Sequence, residues 1–208
     1  MAVHLVKQGD SMTSISEQYS FFWQTIWNHP RNAELRQRRR NPNILMAGDR
    51  VFIPDKQLRE ESCETGRVHT FRMKSIPARL NLRLCNELQQ PRSGVRYTLK
   101  VDGQTFSGAA NEDGVLSHVI PPRARKAQLR LESGEEWDLD IGHMNPIDYA
   151  SGVQARLKNL GYYQGEVSGT LDEATREAIQ DFQRARGLDV TGEPDDATRE
   201  ALVAGHDS

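Results

Sequence analysis

Apolar residues change their period twice along this 208-residue chain. Residues 1–57 open on a short alternation, HLVKQ, which predicts a strand. Met12, Ile15 and Tyr19 then fall three and four apart, one face of a helix. Ahead of them Gly9-Asp10-Ser11 supplies a turn and an N-cap, since a short oxygen side chain takes a free amide of the first helical turn. FFWQTIWN is a second apolar stretch stopped at Pro30, and DRVFIP (Asp49–Pro54) closes the segment as a strand. The predicted order is strand, helix, helix, strand.

From residue 66 to 143 the period falls to two. RVHTFRM, ARLNLRLC, VRYTLKV, QTFSG, GVLSHVI, AQLRL and EWDLDI read as about seven strands. VDGQ (Val101–Gln104) and NEDG (Asn111–Gly114) are turn signals between them. This spacing predicts an antiparallel β-sandwich. Residues 144–208 return to helical period and contain an echo. VSGTLDEATREAI (Val167–Ile179) reappears as VTGEPDDATREAL (Val190–Leu202) with eight of thirteen positions identical. Each copy is a turn, an Asp N-cap (Asp172, Asp195) and a helix. Ala174, Ala178, Ile179 and Phe182 make an apolar stripe, and Gly187 is the expected C-cap. Val153, Leu157 and Leu160 mark an earlier helix, giving a three-helix bundle.

The expected fold is therefore multidomain α+β. Its domains are 1–57 (βααβ), a linker at 58–65, a β-sandwich at 66–143 and a helical domain at 144–208. Charge divides along the same lines: eight basic and five acidic residues in 1–57, against six and twelve in 144–208. The strongest basic run, Arg36–Arg40, sits in one short stretch and reads as a solvated loop or helix end. Nucleic acid is not the expected partner. No run of about 18 apolar residues occurs, so no membrane insertion is expected. Cys63 and Cys85 lack the C-x-x-C spacing of a metal or redox site and are expected to stay unpaired.

Three resemblances attach to these segments. HLVKQGDSMTSISEQY, with IWNHPRNAEL and NPNILMAGDRVFIP, resembles a LysM domain, matching its pattern at Val6, Lys7, Gly9, Asp10, Ser11, Ile15, Asn28, Gly48, Ile53 and Pro54. It departs at Met12, Ser16 and Ala47 and carries an arginine-rich insertion. The resemblance implies a groove for N-acetylglucosamine-containing glycan between two loops, Gly9, Asp10, Ser11, Met12, Thr13 and Asn43, Ile44, Leu45, Met46, Ala47. An acetamido group offers N–H, C=O and methyl, which loop backbone and Ile44 or Leu45 could meet. The middle segment is similar to transthyretin-like and bacterial immunoglobulin-like spacers. Residues 153–202, with Leu160-Gly161-Tyr162, Phe182-Gln183 and the two turns, resemble a three-helix peptidoglycan-binding domain. That implies exposed contacts at Tyr162, Tyr163, Asp172, Arg176 and Gln183, although the tyrosines could pack on the helices and Asp172 could only cap.

Catalytic chemistry is not expected. Glycan cleavage needs two carboxylates across the bond, and peptide cleavage a metal or a Cys–His pair. The six histidines are scattered and Cys63 lies in an acidic setting. No cofactor is expected. MAVHLVKQGD has neither the basic start nor the apolar stretch of a signal peptide. The expectation is a product made in the cytoplasm that acts in the periplasm or cell wall after non-classical export. The order of modules is similar to proteins found with type VI secretion systems or phage-tail-like injection machines. The expected partners are peptidoglycan and a spike or effector protein. The competing expectation is a cytoplasmic adaptor or chaperone that loads an effector onto such a spike.

Overall fold

A computed structural model describes residues 2–57, 62–70 and 77–206. The chain is α+β and divides into two compact units, Met1–Gly142 and His143–Ser208.

In the first unit β1 (Ala2–Leu5) pairs antiparallel with β2 (Arg50–Ile53), His4 opposite Val51. The predicted strand HLVKQ thus begins two residues early and ends at Leu5. Between the strands lie α1 (Met12–Tyr19), α2 (Trp23–Trp27), a 3-10 turn (Pro30–Asn32) and α3 (Ala33–Arg39). Ser11 caps α1 as expected: its Oγ accepts the Ser14 N–H at 3.2 Å, and Ser14 Oγ accepts the Ser11 N–H at 3.0 Å. This reciprocal arrangement satisfies two amides that have no partner in the first turn. Met12, Ile15, Ile26, Trp27, Leu35, Leu45, Val51 and Ile53 form the core.

Two polar residues hold that core together, and neither was singled out by the apolar pattern. Asn32 is buried; its Nδ2 donates to Ile26 O at 2.8 Å and Phe52 O at 2.9 Å, and its Oδ1 accepts the Phe52 N–H. Asn28, the asparagine matched in the sequence, is exposed. The arginine run ends a helix, as expected, with Arg38 and Arg40 exposed, but one member leaves the solvent. Arg39 is buried against Asp49 in a two-bond pair at 2.7 and 2.8 Å.

Six of the seven predicted β runs form strands: β3 (Ala78–Arg83), β4 (Arg96–Val101), β5 (Gln104–Ala109), β6 (Val115–Ile120), β7 (Lys126–Leu131) and β8 (Glu136–Asp140). In RVHTFRM, residues 67–70 are irregular and 71–73 lie outside the described residues, as do 58–61 of the predicted linker. β3 pairs with β6, and the other four form a sheet in the order β5-β4-β7-β8. Alternate residues of both sheets enter one apolar cluster around Leu99, Val101, Leu116, Ile120, Leu129 and Leu131. The VDGQ turn closes β4 to β5 with Asp102 and Gly103 both at positive φ (44° and 79°), the geometry that a two-residue hairpin demands.

The second unit holds α4 (Ala150–Asn159), α5 (Glu173–Arg186) and α6 (Asp196–His206). Their shared core is Val153, Leu157, Tyr163, Ala178, Ile179, Phe182 and Leu202. α5 begins at the predicted Asp172 cap and ends at Gly187, where φ is 67°.

Candidate functional site

The sequence echo in the second unit is also an echo of chemistry. At each repeat an Asp carboxylate caps a helix, a Thr one turn on bonds it, and a buried Gln reaches the same Thr. In the first copy Asp172 Oδ1 accepts the Thr175 N–H at 2.9 Å and its hydroxyl at 2.5 Å. Gln154 Nε2 lies 2.9 Å from Thr175 Oγ1 and from Thr170 O, and its Oε1 accepts the Gly169 N–H at 2.8 Å. In the second copy Asp195 Oδ1 accepts the Thr198 N–H at 2.8 Å. Gln183 Nε2 lies 2.9 Å from Thr198 Oγ1 and 3.1 Å from Glu193 O, and its Oε1 accepts the N–H groups of Thr191 and Gly192 at 2.9 Å. Both glutamines have 0% exposure.

These networks fix the two turns from inside. A buried amide without partners is costly, and here each carboxamide is satisfied by the turn it shapes. The capping carboxyls answer to the same contacts. The Thr175 hydroxyl first, then its N–H, holds Asp172 below the usual carboxylate range. The Thr198 hydroxyl, then its N–H, does the same for Asp195.

Two of the five expected surface contacts are therefore corrected. Gln183 is fully buried because its carboxamide holds the second turn. Tyr163 is buried too: its hydroxyl donates to Glu166 O at 3.0 Å and its ring covers Gly165, where a Cβ would fall 2.4 Å from the hydroxyl. Tyr162 is half-buried edge-on against Phe182, with ring centroids 5.4 Å apart. Asp172 is exposed but occupied as a cap. Arg176 lies on the surface and pairs with Glu193 across the two repeats. Val167 and Val190, equivalent in the repeat, are both exposed beside their turns.

In the first unit the two loops expected to line a groove do meet. Met12 N–H donates to Pro42 O at 2.9 Å, and Thr13 Oγ1 to Asn43 Oδ1 at 3.4 Å. Asn43 and Ala47 are exposed; Ser11, Thr13, Ile44 and Met46 are partly so. Met12 and Leu45 are buried in the core, which removes their side chains from any ligand-facing set, and Gly9 is buried as well. Of Ile44 and Leu45, only Ile44 stays at the surface, with Met46 and Ala47 beside it. The second loop is braced by Asp49, whose Oδ2 accepts the Met46 N–H at 2.9 Å. Burial alone would raise the Asp49 carboxyl, but the Arg39 bonds, the Met46 N–H and the nearby arginine charges together hold it below its ordinary value.

Among the described residues, no group of three His, Cys, Asp or Glu side chains is placed to hold a metal ion, and no helix is long and apolar enough to cross a membrane. Neither a curated protein nor a solved structure matches the chain. Residues 151–202, which take in nearly all of α4, all of α5 and α6 through Leu202 with both glutamine networks, match the family model of a peptidoglycan binding domain.

Proposed function

We propose that this protein is a non-catalytic peptidoglycan binder that grips the wall polymer with the His143–Ser208 unit and adds a second glycan contact at the Thr13–Asn43 loop pair. The observation that carries the first half is the family match over residues 151–202. The second half is supported by the meeting of loops 9–13 and 43–47, with Thr13, Asn43 and Ile44 at the surface. An acetamido group needs one donor, one acceptor and a methyl contact, and these residue types offer all three. Few ligand atoms would be buried at such a shallow place, so each contact alone is weak.

A binding role rather than hydrolysis is supported by how carboxylates are used. Asp172 and Asp195 cap helices, Asp49 is locked to Arg39, and Asp10 accepts from Arg125. The β-rich segment would then act as a spacer, and the site of action would be the periplasm or cell wall. We further place the protein as an accessory of a contractile injection machine, on the order of its three segments; pull-down of a spike or effector protein by the full chain tests that part.

The main test is co-sedimentation with purified sacculi. The full chain should pellet, removal of residues 144–208 should abolish most pelleting, and Thr13→Ala with Asn43→Ala should weaken it further. A wall suspension should keep its turbidity. Failure to pellet overturns the reading, and clearing of the suspension overturns its non-catalytic half.

A further inference from the structure

The Gly9–Ser11 turn has a second set of partners within the Met1–Gly142 unit. Arg125, in the turn between β6 and β7, donates from Nη2 to Asp10 Oδ1 at 2.8 Å, with side-chain exposures of 36% and 12%. The other Asp10 oxygen accepts the Lys7 N–H at 2.9 Å and lies 3.1 Å from His4 Nε2. Arg123, two residues earlier, pairs with Glu17 of α1 at 2.8 Å. On the far side Gly142 lies so close to Gly9 that a Cβ on it would fall 2.6 Å from the Gly9 carbonyl oxygen. The two sides are tied together, because Arg125 O accepts the Ile141 N–H at 2.8 Å.

We propose that these contacts are a joint that makes residues 2–57 and 77–142 one rigid body, with Asp10 at its hub. The Asp10 carboxylate is spent on this joint and on its own turn, so it is a positioning residue for the 9–13 loop and not a ligand contact. An exposed ion pair such as Arg123–Glu17 contributes little by itself. The pair at Asp10 is more shielded, and the backbone approach at Gly142 admits no side chain, so the three together fix an orientation that none fixes alone. The joint stands on geometry; only its functional consequence, a glycan loop held from behind by the sheets, rests on the proposed function above.

The test is 15N relaxation on the full chain. In the unaltered protein, residues 2–57 and 77–142 should share one rotational correlation time. Arg123→Glu with Arg125→Glu sets carboxylates against Glu17 and Asp10 and should split that time in two, while core amides in both segments keep their exchange protection. Gly142→Ala should shift the amide resonances of residues 9–11. Gly134→Ala is its control, since Gly134 has φ +94° with nothing within 4 Å, and should leave those resonances in place. Two correlation times in the unaltered chain, a single time in the charge-reversed variant, or undisturbed resonances in Gly142→Ala would each overturn the joint. Sacculus binding scored on the charge-reversed variant separates the readings: a dissolved joint with unchanged binding sinks the role of the glycan loop and leaves the joint standing.

Discussion

Gln154 and Gln183 show how one side chain can set a backbone. Replacing Gln183 by Leu keeps the volume nearly constant but strands the N–H groups of Thr191 and Gly192 and takes a donor from the Thr198 hydroxyl, which keeps only Asp195. Unsatisfied buried groups cost roughly 1–3 kcal/mol each, with partial relaxation, so a loss of about 3 kcal/mol is expected. Hydrogen exchange at Ile179 and Leu202 in the full chain measures it, and Gln154→Leu should act similarly if the two networks are equivalent. The capping carboxyls give a pH signature. Asp172 and Asp195 are held lower in the folded unit than in the unfolded chain. Their stabilisation is therefore complete above the unfolded value of about 3.9 and fades as pH falls through the folded one. Thermal unfolding should show this loss below about pH 4, and Asp195→Asn should flatten the dependence. At this scale the sequence disclosed the caps and the repeat, because both are local. It hid the glutamine partners, since Gln154 and Thr175 are brought together only when helices pack.

Among the elements, α3 is the one whose role was least visible. A run of arginines carries no apolar stripe, and its pattern looks like solvent exposure. Tertiary contact decides otherwise for Arg39, which is buried against Asp49 ten residues away, and for Arg36, which donates to Trp27 O at 2.8 Å. Removing one partner of a buried pair leaves a charge uncompensated and costs about 3–5 kcal/mol. Arg39→Ala should therefore destabilise the first unit by about that amount and raise exchange at the Met46 amide, which Asp49 holds. Arg38→Ala should cost clearly less than Arg39→Ala, because its pair with Glu34 is exposed and its approach to Asp49 is only a 4.0 Å charge contact. Urea unfolding of the two variants checks the contrast. The strands were more legible: β4 and β7 alternate cleanly between polar and buried positions. The alternation in RVHTFRM carried no such information, since its described part, residues 67–70, is irregular.

For the whole molecule, the proposed function has two weak contacts acting together. Both the loop pair of the first unit and the second unit would be modest binders alone. Joined on one chain they can raise apparent affinity about 10²–10⁴-fold when both engage. Removing residues 144–208 should therefore cost far more than the affinity of one site, and Thr13→Ala with Asn43→Ala should weaken the full chain while leaving its unfolding curve unchanged. The family match gives the second unit its direction; in both units packing decides which side chains stay outside, and Met12, Leu45, Tyr163 and Gln183, which the resemblances put among the contacts, are buried. The most direct measurement is a depletion isotherm of the full chain on purified sacculi. Saturable binding that is largely lost without residues 144–208 is the predicted result. A full chain that stays in solution at every sacculus concentration would contradict it.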